Sequence, residues 1–426
     1  MVPSAPPLNI LFIFSDQETA AANRPPASTP SQDALARRAI SFRTALCTAP
    51  QCSPSRSSLL TGLFPHQTGV EINVEALHGR DLPSALPTLG TRLGQAGYAT
   101  GYFGKWHLST KGPAAHGFTA VWRADQRGAA DPEIARHAAD WITARRDERW
   151  CAVVSFINPH DITSVRPHHQ QTVRAGIGLP TSLADDLVTK PDPQRQFLER
   201  DSGQPYANAT AEDWLRYRSA YAGYLEALDA CLGRVLHAVD ASGQWERTLV
   251  VYTSDHGDLV GAHGLPYKGP FLYDELVHVP LVISWPGYEP SVRQETVSLI
   301  HLVPTMLDAA GQWPQADLPG CSLRSLLAGE RRTWSNRAVF EYLGKQSWLN
   351  PLRGLRAGRW QYTRYLWGGE ELYDLRSDPR EMRNLAGDPT HAPSLLHLRC
   401  ELQRWREGAG DAGRWEVAGR SAPLPP

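Results

Sequence analysis

Cys52, Ser53, Pro54, Ser55 and Arg56 form the most chemically specific stretch of the sequence. Ser53 is a good helix cap and Pro54 a good first helical residue, so the pattern predicts a helix running to about Thr61. Cys52 then sits just before a helix N-terminus, where free N–H groups and the helix dipole stabilise negative charge. Arg56, one turn on, points a permanent cation back toward the same place. Further polar residues follow apolar runs. Asp16 and Gln17 come after run 8–14, Lys105 and His107 after 98–103, His160 after 152–157, and Asp255 and His256 after 248–253. Each alone reads as an ordinary loop residue; their recurrence after successive apolar runs does not. Lysine is scarce, confined to Lys105, Lys111, Lys190, Lys268 and Lys345, so a lysine inside a motif stands out from background.

These runs are short and rich in β-branched residues, as in strands buried on both faces; run 280–285 is another of the kind. Helical patterns lie between them, at 31–39, 87–96 and 211–239, the last with Thr210 as a cap. Alternating strands and helices predict a doubly wound α/β domain with a largely parallel central sheet flanked by helices, over residues 1–329. In such sheets ligands bind beyond the carboxyl ends of the strands, which is where the acids, histidines and lysine fall. After about residue 329 the pattern changes to short aromatic strands at 338–343, 352–356, 360–365 and 372–375, with a helix at 392–407. Residues 330–426 are therefore expected to form a smaller C-terminal antiparallel-sheet subdomain, with a disordered tail at 422–426. Segment 161–208 is polar and Pro-rich and reads as an insertion or a substrate-side loop, with His168 and His169 as solvated residues.

The formal net charge is −1, so no global field points to nucleic acid or an anionic membrane. No run approaches the ~20 apolar residues that span a bilayer. The first apolar run reads as a strand and not a signal peptide, and the six scattered cysteines read as reduced thiols, so a cytoplasmic location is expected.

The Cys-x-Pro-x-Arg pattern with Leu59, Thr61 and Gly62 resembles the type I sulfatase family of the alkaline phosphatase superfamily. The resemblance extends along the chain. It takes in residues 9–16, Thr29-Pro30, the stretch from Gly101 to Leu108 around Lys105 and His107, and Thr253 to Gly257 followed by His263-Gly264 and Lys268-Gly269. It ends in Leu372-Tyr373-Asp374-Leu375 with Asp378-Pro379, Glu381 and Asn384-Leu385. It implies that a formylglycine-generating enzyme, a transient partner, oxidises Cys52 to formylglycine, whose hydrate attacks a sulfate ester. It implies that Asp16, Gln17, Cys52, Asp255 and His256 hold one divalent metal ion, with calcium first and manganese and magnesium as alternatives. Asp255 helps to deprotonate the hydrate, Arg56 and Lys105 hold the nucleophile, and His107 positions it. His160 and Lys268 bind the sulfate and protonate the leaving group. Many members carry aspartate where this chain has Gln17, which lowers the site's negative charge by one; an Asp-Gln pair resembles the choline-sulfatase and phosphonate-hydrolase branches. His301 stands where relatives often carry aspartate and receives no role. A phosphonate monoester or phosphodiester hydrolase on the same site is the alternative, and an inactive binding protein of the same fold a third reading. Substrate selection is expected from 161–208, 71–81 and the sheet at 338–367, whose Trp348, Trp360, Tyr362, Tyr365 and Trp367 either stack on substrate or pack a core.

Overall fold

The computed structural model describes residues 7–124, 127–168, 171–312, 316–330, 334–346 and 348–411. His169 and the expected tail at 422–426 lie outside the described residues.

Strands β1 (Asn9–Asp16), β3 (Ala99–Gly104), β4 (Ala120–Arg123), β5 (Trp150–Pro159) and β6 (Thr248–Ser254) pair in the order β4-β3-β5-β1-β6, all parallel. Period-two alternation splits β1 between two cores. Ile10, Phe12 and Phe14 enter one, while Leu11 and Ile13 enter the other. Both faces are thus apolar, and each fully buried aliphatic or aromatic side chain contributes about 1.5–3 kcal/mol. The sheet continues through β8 (Leu281–Ser284), β2 (Ile40–Leu46) and β7 (His278–Val279), with β9 (Ser291–Ser298) also paired to β2. β8, predicted from run 280–285, runs antiparallel to β6. A buried apolar run has the same appearance in either orientation, so its direction was not readable.

The helices at Asp131–Thr143 and Ala211–Ala241 cover one face through Ile134, Ala138, Tyr221, Leu225 and Leu228. Thr210 caps the longer one as expected, accepting from the Asp213 N–H at 3.2 Å while the Asp213 carboxylate accepts from the Thr210 N–H at 2.9 Å. The helix at Cys52–Thr61 lies on the opposite face, sending Leu59 and Leu60 into that core. A second sheet joins β10 (Arg337–Lys345), β11 (Trp348–Ala357), β12 (Trp360–Tyr365) and β13 (Glu370–Asp374) in antiparallel order, followed by a helix at Ala392–Ala409. Tyr362 packs in the core between this sheet and its helix, Tyr365 joins the large core on one face of the central sheet, and Trp367 is exposed.

No helix among the described residues is long and apolar enough to cross a membrane.

Candidate active site

Because the five strands are parallel, their carboxyl ends share one edge of the sheet. β1 ends on Asp16, β3 is followed by Lys105, β5 by His160, and β6 by Asp255 and His256. The Cys52–Thr61 helix points its N-terminus at this edge.

That helix begins two residues earlier than predicted. Gln51 is its extended N-cap (φ −155°, ψ 145°), and Cys52 is the first helical residue instead of the residue before the helix. Ser53 does not cap. Its hydroxyl donates to the His107 carbonyl at 2.7 Å, and its N–H donates to Asn73 Oδ1 at 3.1 Å, so it ties the helix to the neighbouring loops.

Arg56 is also placed differently from the expectation of a cation aimed at Cys52. Its fork is spent on the carboxylates: Nε donates to Asp255 at 2.8 Å and Nη2 to Asp16 at 2.9 Å. Nη1 donates to the Lys105 carbonyl and to Ser155 Oγ, both at 2.8 Å. A fully buried guanidinium is therefore matched by two fully buried carboxylates and two neutral acceptors.

Cys52 is fully buried, and its Sγ lies 2.9 Å from Lys268 Nζ, 3.3 Å from His256 Nε2 and 3.6 Å from Asp16 Oδ1. Burial pushes the thiol pKa up, but Lys268, Lys105, His256 and His107 together bring it well below the ordinary value. Position 52 is thus built to carry negative charge. Lys105 Nζ lies 2.5 Å from Asp16 Oδ2. Against burial and the Cys52 charge, Lys105, His160 and Arg56 hold Asp16 below the carboxylate range; its neighbour Asp255 is pushed up by burial and by Asp16 itself.

The remaining expected residues join the same cluster. His107 contacts Glu75 at 2.6 Å, and the charges of Cys52 and Glu75 raise it against burial. His160 is held below its ordinary pKa by burial and by Lys105, which favours its uncharged form. Lys268 donates to Gln17 Oε1 at 2.7 Å, and Gln17 Nε2 donates to Asp258 Oδ2 at 2.6 Å. Gln17 therefore bridges a lysine and an acid, and its carbonyl oxygen is already engaged.

Donor atoms of Asp16, Cys52, Asp255 and His256 all lie within 4.8 Å of one another, a separation a single ion can span. His256 fits the part in one further respect. Its Nδ1 lies 2.8 Å from the Gly257 carbonyl, which can only accept, so Nδ1 carries a proton and, in the neutral ring a metal ligand requires, the Nε2 lone pair faces the cluster. Asp16 Oδ1 likewise faces Cys52 while Oδ2 takes the cations. Residues not anticipated include Ser155, which receives Arg56; Glu75, which holds His107; and Asp258, at the far end of the Gln17 bridge. Asp258, three residues past Asp255, was the most accessible of these to a motif reading.

A family model described as Sulfatase matches residues 8–312, and a second, described as N-sulphoglucosamine sulphohydrolase, C-terminal, matches residues 261–408. The chain is 30% identical over 394 residues to Delta 4,5-hexuronate-2-O-sulfatase of Bacteroides thetaiotaomicron, covering 87% of this chain and 82% of that protein. It is 28% identical over 409 residues to choline-sulfatase of Rhizobium meliloti, covering 84% of this chain and 78% of that one. A solved structure of a 2-O GAG sulfatase superposes with a TM-score of 0.85 at 27% identity, over 95% of this chain and 93% of that one. With a family model covering most of the chain and a relative aligned along most of both lengths, the protein belongs to the sulfatase family and is a sulfuric ester hydrolase.

Proposed function

We propose that the hydrolysis proceeds at side chain 52 after Cys52 is converted to formylglycine by a separate generating enzyme. The observation that carries this reading is the setting of the Cys52 side chain, fully buried, 2.9 Å from Lys268 Nζ and 3.3 Å from the His256 Nε2 lone pair. A hydrated aldehyde there supplies an oxygen nucleophile at a position already electrostatically prepared for negative charge. A divalent cation, calcium first, held by Asp16, Gln17, Asp255, His256 and side chain 52, supplies Lewis-acid chemistry when bound. Arg56 keeps the two carboxylates in place and Lys105 neutralises Asp16. His107, braced by Glu75, orients the nucleophile. Lys268 holds a sulfate oxygen. Lys268 and His160 stand ready to supply the proton for the departing alkoxide, with burial and Lys105 favouring the uncharged form of His160. The products are an alcohol and sulfate. The six cysteines are all free, which supports a reducing compartment such as the cytoplasm.

The test is peptide mass analysis around Cys52 in protein co-produced with the generating enzyme, alongside turnover of an aryl sulfate and an aryl phosphonate. The expected result is aldehyde or hydrate at position 52, sulfate release that stops in a chelator, and slower phosphonate cleavage. Full activity with unmodified Cys52 would refute the mechanism, and faster phosphonate cleavage would reassign the preferred substrate.

A further inference from the structure

Lys345 belongs to none of the motifs in the catalytic domain, yet β10 delivers it to the reaction centre. Its Nζ donates to the Lys268 carbonyl at 3.2 Å and to Ser202 Oγ at 2.5 Å, and it lies 5.5 Å from the centre of the Phe197 ring. Lys268 is the residue whose ammonium touches Cys52 Sγ at 2.9 Å. The second sheet thereby ties a half-buried cation to the backbone of Lys268, close enough for the two charges to influence each other.

That arrangement is electrostatically incomplete. An ammonium has three donors, and two are used here, both on neutral oxygens. No carboxylate stands within 4.0 Å of Lys345 Nζ among the described residues. Asp201 is the nearest influence of opposite charge. Its Oδ1 accepts from the Ser202 N–H at 2.6 Å, and its buried Oδ2 has no hydrogen-bond partner. Burial lowers the Lys345 pKa to about 8; Asp201, Cys52 and Asp258 oppose that shift and Lys268 adds to it. Two lysines that influence each other, neither paired with a carboxylate within 4.0 Å among the described residues, form a poor resting arrangement and a good anion receptor. Lys268 serves the sulfate that is cleaved, so the free donor of Lys345 is left for something else on the same molecule.

We propose that Lys345 is a specificity-determining residue that recognises a second anionic group on the sulfate ester, a carboxylate or a further sulfate. The inference rests on position 52 being the reaction centre. It also explains why β10 and Ser202, which follows the helix at Asp192–Arg200, converge on one ammonium: they build the wall that selects the rest of the substrate.

The experiment measures kcat and KM for wild type, Lys345→Met and Lys345→Arg, each with Cys52 converted, on three probes. These are a glucose monosulfate, a hexuronate monosulfate and a glucosamine disulfate. Wild type is expected to prefer one charged probe over glucose monosulfate. Lys345→Met should reduce that preference about 10- to 100-fold, mainly through KM, as befits loss of one charged hydrogen bond. Lys345→Arg should restore most of it. The probe that loses identifies the anion as carboxylate or sulfate. Equal losses on all three probes, or none, would overturn the proposal by making Lys345 a purely structural support. A wild-type enzyme that turns over glucose monosulfate as well as either charged probe overturns it too, without any variant. A wild-type enzyme that releases sulfate from none of the probes would instead overturn the reading of position 52.

Discussion

Replacing Arg56 by methionine keeps most of the side-chain volume and removes the guanidinium that ties Asp16 to Asp255. Both carboxylates and Arg56 itself are fully buried, with contacts at 2.9 and 2.8 Å. Removing one partner of a buried ion pair costs about 3–5 kcal/mol, chiefly because the other charge is stranded. Some compensation remains, since Lys105 still serves Asp16, and the Gln17 and His256 N–H groups still serve Asp255 Oδ1. At about 2.1 cal/mol/K per residue, a chain of 426 residues unfolds with an entropy near 0.9 kcal/mol/K, so the melting temperature should fall by about 3–6 °C. Scanning calorimetry on wild type and variant, both in chelator, reads this shift. Arg56→Lys should fall between them, because one ammonium cannot serve both acids with the fork geometry. Aryl sulfate turnover of Arg56→Met should drop by at least about 100-fold as the carboxylates lose their fixed positions. A melting temperature within about 1 °C of wild type would refute the claim that this guanidinium organises the site.

Three further perturbations test the scaffold. Gly104 has φ 113°, and a Cβ there would lie 1.9 Å from the Ser155 carbonyl that receives the Lys105 N–H, so Gly104→Ala should displace Lys105. The expected cost is at least about 2 kcal/mol with a matching loss of turnover, and wild-type melting and rate would contradict it. Burial holds His301 at a pKa of about 4, below the ordinary 6.5, and its Nδ1 accepts from the Cys321 N–H at 3.0 Å. Its folded form binds fewer protons than its unfolded form in that interval. Its contribution is therefore complete above pH 6.5 and is lost as the pH falls toward 4, by about 1–3 kcal/mol. Urea unfolding across that window should be flatter for His301→Gln than for wild type; parallel curves would count against the assignment. Thr210→Ala removes the cap of the Ala211–Ala241 helix and should cost about 1 kcal/mol in the same assay, with turnover little changed.

How far each element was readable follows from its environment. β1, β5 and β6 are buried on both faces and read as continuous apolar runs. β9 (Ser291–Ser298) is polar and half-exposed, and β4 has only four residues, so neither left a distinctive pattern. Asp16, Lys105, His160, Asp255 and His256 were readable because each follows a strand whose end position is fixed by the parallel arrangement. Glu75, Ser155 and Lys345 reach the same centre through a loop, a strand interior and the second sheet; only the tertiary fold brings them there. The aromatic residues of that sheet show the converse limit. Tyr362 and Tyr365 pack into cores, and composition alone does not separate that from a stacking platform.

Gln17 shows how a single departure from the family pattern is absorbed. With aspartate in its place, Lys268 could pair directly with a carboxylate at the end of β1. The amide instead accepts from Lys268 at 2.7 Å and donates to Asp258 at 2.6 Å, so the acid partner is moved one residue's reach away. Asp258 bears the consequence. Burial raises its pKa to about 6, although Gln17, the Val260 N–H and Tyr217 all donate to it. Lys268 is thereby left without a carboxylate within 4.0 Å among the described residues, and its ammonium turns to Cys52 Sγ and the His256 lone pair. The loss of one negative charge at position 17 thus leaves a more electropositive surface at position 52. That bias favours an anionic ester, and it is reinforced by Lys345 on the far side of the same lysine.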